Sequence, residues 1–239
     1  MDPETYRILF EAQCEKKNVR LVNTYRGVPI TANGQLVELH GNDAKINTNS
    51  LQILCGRIKK TSFLNFGHRI YKAHVVSSDL INETIDFTDF EVCKQIIGVR
   101  KFIRVEPKNP IRAQVTSPRF NTGERVQDNW FNTNLVDLSI HGAAIHLHAL
   151  ILEQTPVYID DSATLKFDLM IPSTTATFQA EIKSTVRNIT PVDENTIRIG
   201  FQTFSDPTTE NMLSSFVAHL QKIIIQELKE KLNRETPVS

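Results

Sequence analysis

Asp137-Leu138-Ser139-Ile140-His141-Gly142-Ala143-Ala144-Ile145-His146-Leu147-His148 is the stretch of this 239-residue chain on which the reading of the fold turns. Its second half alternates: Ile145, Leu147 and Ala149 take one face while His146 and His148 take the other, the period of a strand buried on one side. Its first half sets Asp, Ser and Gly in an Asp-x-Ser-x-x-Gly arrangement at the entry to that strand. Asp and Ser can satisfy local backbone groups there, and Gly142 can supply a positive φ, as in an Asx-type turn.

The same one-sided alternation recurs on both flanks. Ile111, Ala113 and Val115 alternate with Arg112 and Gln114, and Leu165, Phe167, Leu169 and Ile171 with Lys166, Asp168 and Met170. Phe178, Ala180 and Ile182 alternate with Gln179, Glu181 and Lys183, and Ile197, Ile199 and Phe201 supply a further dry face. Many short strands, each with one dry face and no helices between them, predict an antiparallel barrel or sandwich rather than a βαβ sheet. The end of the chain differs. Asp206 can cap a helix and Pro207 suits its first position, and Met212, Leu213, Phe216, Val217, Leu220, Ile223, Ile224 and Leu228 recur at helical spacing. The predicted helix runs to Leu232. Its near half is expected to cover an open end of the barrel, and its far half offers an apolar face for a homodimer.

Toward the start, Tyr6, Ile8, Leu9, Phe10 and Cys14 lie among good helix formers and predict a short leading helix, with Gly27 and Pro29 barring its continuation. From residue 35 to about 76 come short alternations (Leu36, Val37, Leu39; Leu51, Ile53, Cys55; Tyr71, Ala73, Val75). Asn33-Gly34, Gly41-Asn42 and the Asn47 to Asn49 stretch read as turns between them. This predicts a small β-domain. Residues 79 to 98 show no clear period, and a boundary near residue 95 divides the chain into domains 1–94 and 95–239.

Composition narrows the function classes. Lys plus Arg (27) equals Asp plus Glu (27), so the chain lacks the broad basic field of a general DNA- or anionic-membrane-binding protein. Any anion site must be a local cluster. No apolar stretch is long enough to cross a bilayer as a helix, and the first ten residues lack the pattern of a secretory signal. Three scattered cysteines, Cys14, Cys55 and Cys93, read as free thiols, and a cytoplasmic location is expected.

Catalytic arrangements are missing: there is no Gly-rich phosphate loop, no Gly-x-Ser-x-Gly elbow and no His-Glu-x-x-His, so an enzyme is not expected. His141, His146 and His148 lack an acidic or thiol companion at usable spacing, and no metal site is expected. Two motifs remain. Arg100-Lys101-Phe102-Ile103-Arg104 has an Arg-x-x-x-Arg spacing that thirteen arginines produce by chance about once. Asp-x-Ser-x-x-Gly, at this chain's frequencies, arises by chance only about 0.02 to 0.03 times.

Together and in this order, ahead of the remaining strands and a terminal helix, the two motifs resemble the ligand signature of the PilZ domain, the bacterial receptor module for cyclic di-GMP. The likeness spans roughly residues 96 to 228 and includes Ile197-Arg198-Ile199-Gly200-Phe201, which looks like the family's last barrel strand. The resemblance implies a six-stranded barrel followed by the long C-terminal helix. The preceding β-rich segment is similar in size and placement to the N-terminal barrel of flagellar-brake-type members. The implied fold is therefore mainly β, two small antiparallel barrels.

The resemblance assigns cyclic di-GMP binding to Arg100, Lys101, Arg104, Asp137, Ser139 and Gly142, and the residue chemistry suits that ligand. Arginine forks grip phosphate bidentately or stack on guanine, and Lys101 adds a point charge. Asp137 can accept from the N–H edge of guanine, Ser139 can donate to a phosphate or base acceptor, and Gly142 allows close approach. A ligand touching residues 100 to 104 and the barrel together is expected to change the domain arrangement and so regulate a protein partner, such as the flagellar motor or another secretion or synthesis machine. Two alternatives stand beside this reading: a β-barrel that binds single-stranded nucleic acid, and a scaffold of the same fold that binds no ligand. One Trp, four Tyr and zero net charge weigh against the nucleic acid, so no DNA or RNA partner is expected.

Overall fold

In the computed structural model, residues 1–67, 69–93, 102–109, 111–116, 130–154, 156–171 and 176–235 are described. They form two compact units, Met1–Lys101 with Ile224–Ser239, and Phe102–Ile223. The division therefore falls a few residues beyond 94, and the last part of the chain returns to the first unit.

The first unit opens with α1 (Pro3–Cys14), whose N-cap Asp2 accepts from the Glu4 and Thr5 amides. Six strands follow, β1 (Asn18–Tyr25), β2 (Val28–His40), β3 (Asp43–Asn47), then α2 (Ser50–Lys59), β4 (Thr61–Phe66), β5 (Arg69–Asp79) and β6 (Thr84–Cys93). They close an antiparallel barrel in the order β1-β2-β3-β6-β5-β4. Inward residues such as Leu21, Ile46, Leu64, Tyr71, Ile85 and Phe87 are fully buried.

Two local expectations are corrected here. Leu51, Ile53 and Cys55 lie on helix α2, where Leu54 and Cys55 are buried and Leu51 and Ile58 pack beside them. Asn49 decides it: its side chain accepts from the Gln52 amide at 2.9 Å and nucleates the first turn. Asn33-Gly34 is no turn but lies inside β2, where Gly34 serves a close approach: a Cβ on it would stand 2.6 Å from the Asn47 carbonyl oxygen on β3. Gly41, by contrast, takes a φ of +58° in the β2–β3 turn. A buried polar network fixes α2 to the barrel: Asn23 donates to Gln52 and Ser62, and Gln52 donates to the carbonyls of Leu21 and Ile30, all at 2.8–2.9 Å.

The second unit contains β7 (Ile111–Thr116), β8 (Phe131–Ser139), β9 (Gly142–His148), a short α3 (Ala149–Gln154), β10 (Ser162–Ile171), β11 (Ala176–Pro191) and β12 (Thr196–Phe204). They close a second antiparallel barrel, β10-β11-β12-β9-β8-β7, the barrel of the two architectures that the alternation allows. Ala149 ends the alternating run by starting α3. Helix α4 (Pro207–Glu235) begins where expected: Asp206 accepts from the Thr208 and Thr209 amides at 2.9 and 3.0 Å. Its Leu213 and Phe216 join the barrel core with Leu135, Ile145, Leu165 and Phe201.

From Ile224 onward α4 belongs to the first unit. Leu228 is fully buried against Leu54 and Cys55, Leu232 packs at the same cluster, and Arg26 and Arg57 pair with Glu227 and Glu235. The far half of the helix is thus covered within its own chain, and its apolar face, the basis for expecting a homodimer through it, is already occupied. Among the described residues no helix is long and apolar enough to cross a membrane.

Candidate functional site

The Asp-x-Ser-x-x-Gly residues form the end of β8, a two-residue turn and the start of β9. The register pairs Ser139 with Gly142, Leu138 with Ala143 and Asp137 with Ala144, and β9 carries the rows across to β12, Ala144 to Gly200 and His146 to Arg198. Leu138, Ala143 and Ile145 point into the core, so Asp137, Ser139, Gly142, Arg198 and Gly200 occupy the outer face of the barrel. A register slip between Leu135 and Asp137 on β8 locally aims that face.

Arg104 reaches this face through its neighbour. Val105, itself fully buried, exchanges two backbone hydrogen bonds with Leu138, at 2.8 and 3.0 Å, so the chain just before β7 is laid beside the end of β8. Arg104 Nη1 consequently lies 3.7 Å from Asp137 Oδ1. Arg104 Nη2 hangs over Gly142: a Cβ there would stand 3.3 Å from it and 3.2 Å from both the Phe201 carbonyl oxygen and Ser139 Oγ. Gly142 has no positive φ, so the turn geometry does not demand glycine. A Cβ would instead crowd the Phe201 carbonyl, Ser139 Oγ and the Arg104 guanidinium together.

Asp137 is the centre of the arrangement. Its side chain is only 4% exposed although it is an acid on the outer face of a strand. Arg198 Nη2 donates to its Oδ2. Its Oδ1 is buried without a hydrogen bond, since 3.7 Å to Arg104 is an electrostatic approach and not a bond. A buried carboxylate oxygen with an unused acceptor site is costly unless something donates to it. Ser139 is occupied locally, its hydroxyl donating to the Gly142 carbonyl at 3.1 Å. It must turn to donate elsewhere.

The structure therefore brings together four of the six sequence-predicted residues, Arg104, Asp137, Ser139 and Gly142. Arg100 and Lys101 lie outside the described residues. It adds Arg198, which spacing could not reveal because its carboxylate partner sits two strands away. It also adds a ring contact: Phe102 meets His141 edge to face, with centroids 4.3 Å apart, and His141 Nδ1 lies 3.5 Å from Glu210 Oε1 on the first turn of α4. Among the described residues no group of three or more His, Cys, Asp or Glu could hold a metal ion. A cleft of about 620 Å³ elsewhere on the barrel, lined by Arg112, Gln114, Asn132, Lys166 and Asp168 among others, includes none of these site residues.

Chemically, the site offers one buried anionic acceptor between two guanidinium groups, on a strand face kept low by Gly142 and Gly200. Such a set can take a ligand that combines phosphate oxygens with an N–H donor edge.

Comparison with known proteins gives a match of the PilZ domain family to residues 99–219. No curated protein matches the chain. Among solved structures, the Bacillus subtilis inhibitor of motility MotI/DgrA is 14% identical, with 86% of this chain and 96% of that one covered at a TM-score of 0.43. YcgR from Escherichia coli in complex with c-di-GMP is 12% identical, with 96% and 95% covered and a TM-score of 0.43. The K. pneumonia MrkH–c-di-GMP complex is 14% identical, with 97% and 96% covered and a TM-score of 0.39.

Proposed function

The chain belongs to the PilZ domain family, and from that premise we propose that it is a receptor for cyclic di-GMP, a binding module without turnover of its own. The observation that carries the reading is Asp137: a buried carboxylate with a free acceptor position at Oδ1, flanked by Arg104 and Arg198. Guanine presents the N–H donors that such an acceptor lacks, and the adjacent phosphates suit the arginine forks. Arg100 and Lys101 belong to the proposed site by the Arg-x-x-x-Arg motif alone. Ser139 would turn its hydroxyl from the Gly142 carbonyl to the ligand, and Gly142 would keep Arg104 within reach.

The output proposed is a change in domain arrangement that exposes or hides a surface for a protein partner in the cytoplasm. Motility machinery or a surface-polysaccharide or secretion apparatus is the kind of partner the family resemblance implies. A shift from 1:99 to 99:1 needs about 5.5 kcal/mol of differential binding. Two or three charge-assisted contacts of about 1.5 to 3 kcal/mol each suffice. Isothermal titration with cyclic di-GMP on the full chain, repeated on Arg104→Ala, tests binding; the variant should bind about ten- to a hundredfold more weakly. No heat of binding in the parent protein, or parent-like affinity in the variant, would refute the assignment. Small-angle scattering with and without saturating ligand tests the output, and identical curves would remove the rearrangement.

A further inference from the structure

Ala144 is fully buried, yet it lies outside the core of the second barrel. Its neighbours Ala143 and Ile145 turn inward, so Ala144 belongs to the outer face of β9, where another side chain must cover it. The register places it between Asp137 on β8 and Gly200 on β12, and Arg198 stands two residues from Gly200, on the same face and opposite His146. Arg198 Nη2 donates to Asp137 Oδ2, so the arginine side chain crosses β9 between His146 and Ala144. We propose that Arg198 is a positioning residue of the receptor site, a strap across β9 that fixes the Asp137 carboxylate with Oδ2 taken and Oδ1 left for the ligand. The inference rests on the reading of Asp137 as part of the cyclic di-GMP site.

The crossing depends on small neighbours. β9 lies between β8 and β12, so those two strands run about 9.5 Å apart, twice the spacing of a paired ladder. Ala144 carries a single methyl and Gly200 has no side chain, which keeps the outer face low beside the path of the arginine. The Arg198 side chain is 42% exposed against 4% for Asp137. The cation therefore stays in contact with water while its tip serves the buried carboxylate.

Asp137 needs such a partner, because a buried carboxylate left uncompensated is strongly destabilising. The hydrogen bond from Arg198 falls on Oδ2, whereas Arg104 Nη1 approaches Oδ1 at 3.7 Å, too far for a bond. A carboxylate held through one oxygen keeps the other aimed in one direction. Ligand then meets an acceptor already in place, and its binding does not include the cost of ordering that side chain. Preorganisation of this kind raises affinity without adding a contact, so Arg198 acts on the ligand through Asp137.

The test uses the full chain as parent, Arg198→Ala, Asp137→Ala and the double variant, with two readouts. In titrations with cyclic di-GMP, Arg198→Ala should weaken binding about three- to tenfold, the ordering cost of one released side chain. In the Asp137→Ala background the same change should have no further effect, since nothing is left to position. An arginine that gripped the ligand itself would weaken binding in both backgrounds. That result, or parent-like affinity in Arg198→Ala, overturns the proposal while leaving the receptor reading intact. The second readout needs no ligand. In urea titrations Arg198→Ala should lower the unfolding midpoint by stranding a buried carboxylate, and adding Asp137→Ala should raise it again. An unchanged midpoint in Arg198→Ala, or a double variant no more stable than that single one, overturns the proposal even if cyclic di-GMP does not bind.

Discussion

Replacing Gly142 with alanine separates two reasons for having glycine in the motif. A Cβ would meet the Phe201 carbonyl oxygen and Ser139 Oγ at 3.2 Å and Arg104 Nη2 at 3.3 Å. The Phe201 carbonyl, on a residue paired with Ala143 in the β12–β9 ladder, has to give by only a few tenths of an ångström. Ser139 can rotate away by giving up its bond to the Gly142 carbonyl, a loss of about 1 kcal/mol. Since Gly142 has no positive φ, alanine also restricts the unfolded chain and recovers about 0.4 to 1 kcal/mol. Stability should therefore change by no more than about 1 kcal/mol in a urea titration. The Arg104 guanidinium stands at the end of a long side chain, and its displacement should weaken cyclic di-GMP binding about tenfold. In an Arg104→Ala background the same Gly142→Ala change should have almost no further effect on affinity. If it weakens binding equally in both backgrounds, glycine is there for the ligand's approach and not for the arginine, and the reasoning fails.

Other consequences concern the rest of the chain. Burial pushes the Cys55 thiol up to about 12, whereas Cys14 is exposed, so a thiol reagent at pH 8 should modify Cys14 quickly and Cys55 only on unfolding. Leu228→Ala should cost about 2 to 4 kcal/mol in a denaturant titration by opening a cavity against Leu54 and Cys55, and should raise Cys55 reactivity at the same time. Asp206 has its carboxyl held below the ordinary 3.8, first by the Thr209 hydroxyl and then by the Thr209 amide. A depressed folded value means the cap stabilises above the unfolded value and fades as pH falls through the folded one. Asp206→Ala should therefore lower Tm at pH 7 and leave it nearly unchanged relative to the parent at the acid end of the titration.

The second barrel was legible because several of its strands hold one clear period over their readable stretch: Leu165, Phe167 and Leu169, and Ile199 and Phe201, are buried on one face. The cap and register of α4 were legible for the same reason, from Asp206, Pro207 and a helical apolar stripe. The first barrel hid where two periods coincide. Leu51, Ile53 and Cys55 fit a strand, but Leu51, Leu54, Cys55 and Ile58 fit a helix, and only the capping geometry of Asn49 decides between them. Strand β6 was invisible because slips in its pairing with β5, between Lys72 and His74 and between Val75 and Ser77, break the alternation, and Asp89 takes a φ of +52° within it.

Of the candidate site, the proximity of Asp137, Ser139 and Gly142 follows from one hairpin, and one bridge, Val105 to Leu138, brings Arg104 beside them. Arg198 and Glu210 could not be found from the sequence, since strand order and a helix start set them there. The role of Gly142 could not be settled by spacing either. A turn and a close approach both call for glycine, and the absence of a positive φ, with the crowding by the Phe201 carbonyl, Ser139 and Arg104, distinguishes them.

The most direct measurement of the central claim is a crystal structure of the full chain with cyclic di-GMP. The account predicts ligand on the outer face of the second barrel, with a guanine N–H donating to Asp137 Oδ1 and a phosphate or guanine engaged by Arg104. Ligand bound elsewhere, or bound with Asp137 Oδ1 still unpartnered, would contradict it.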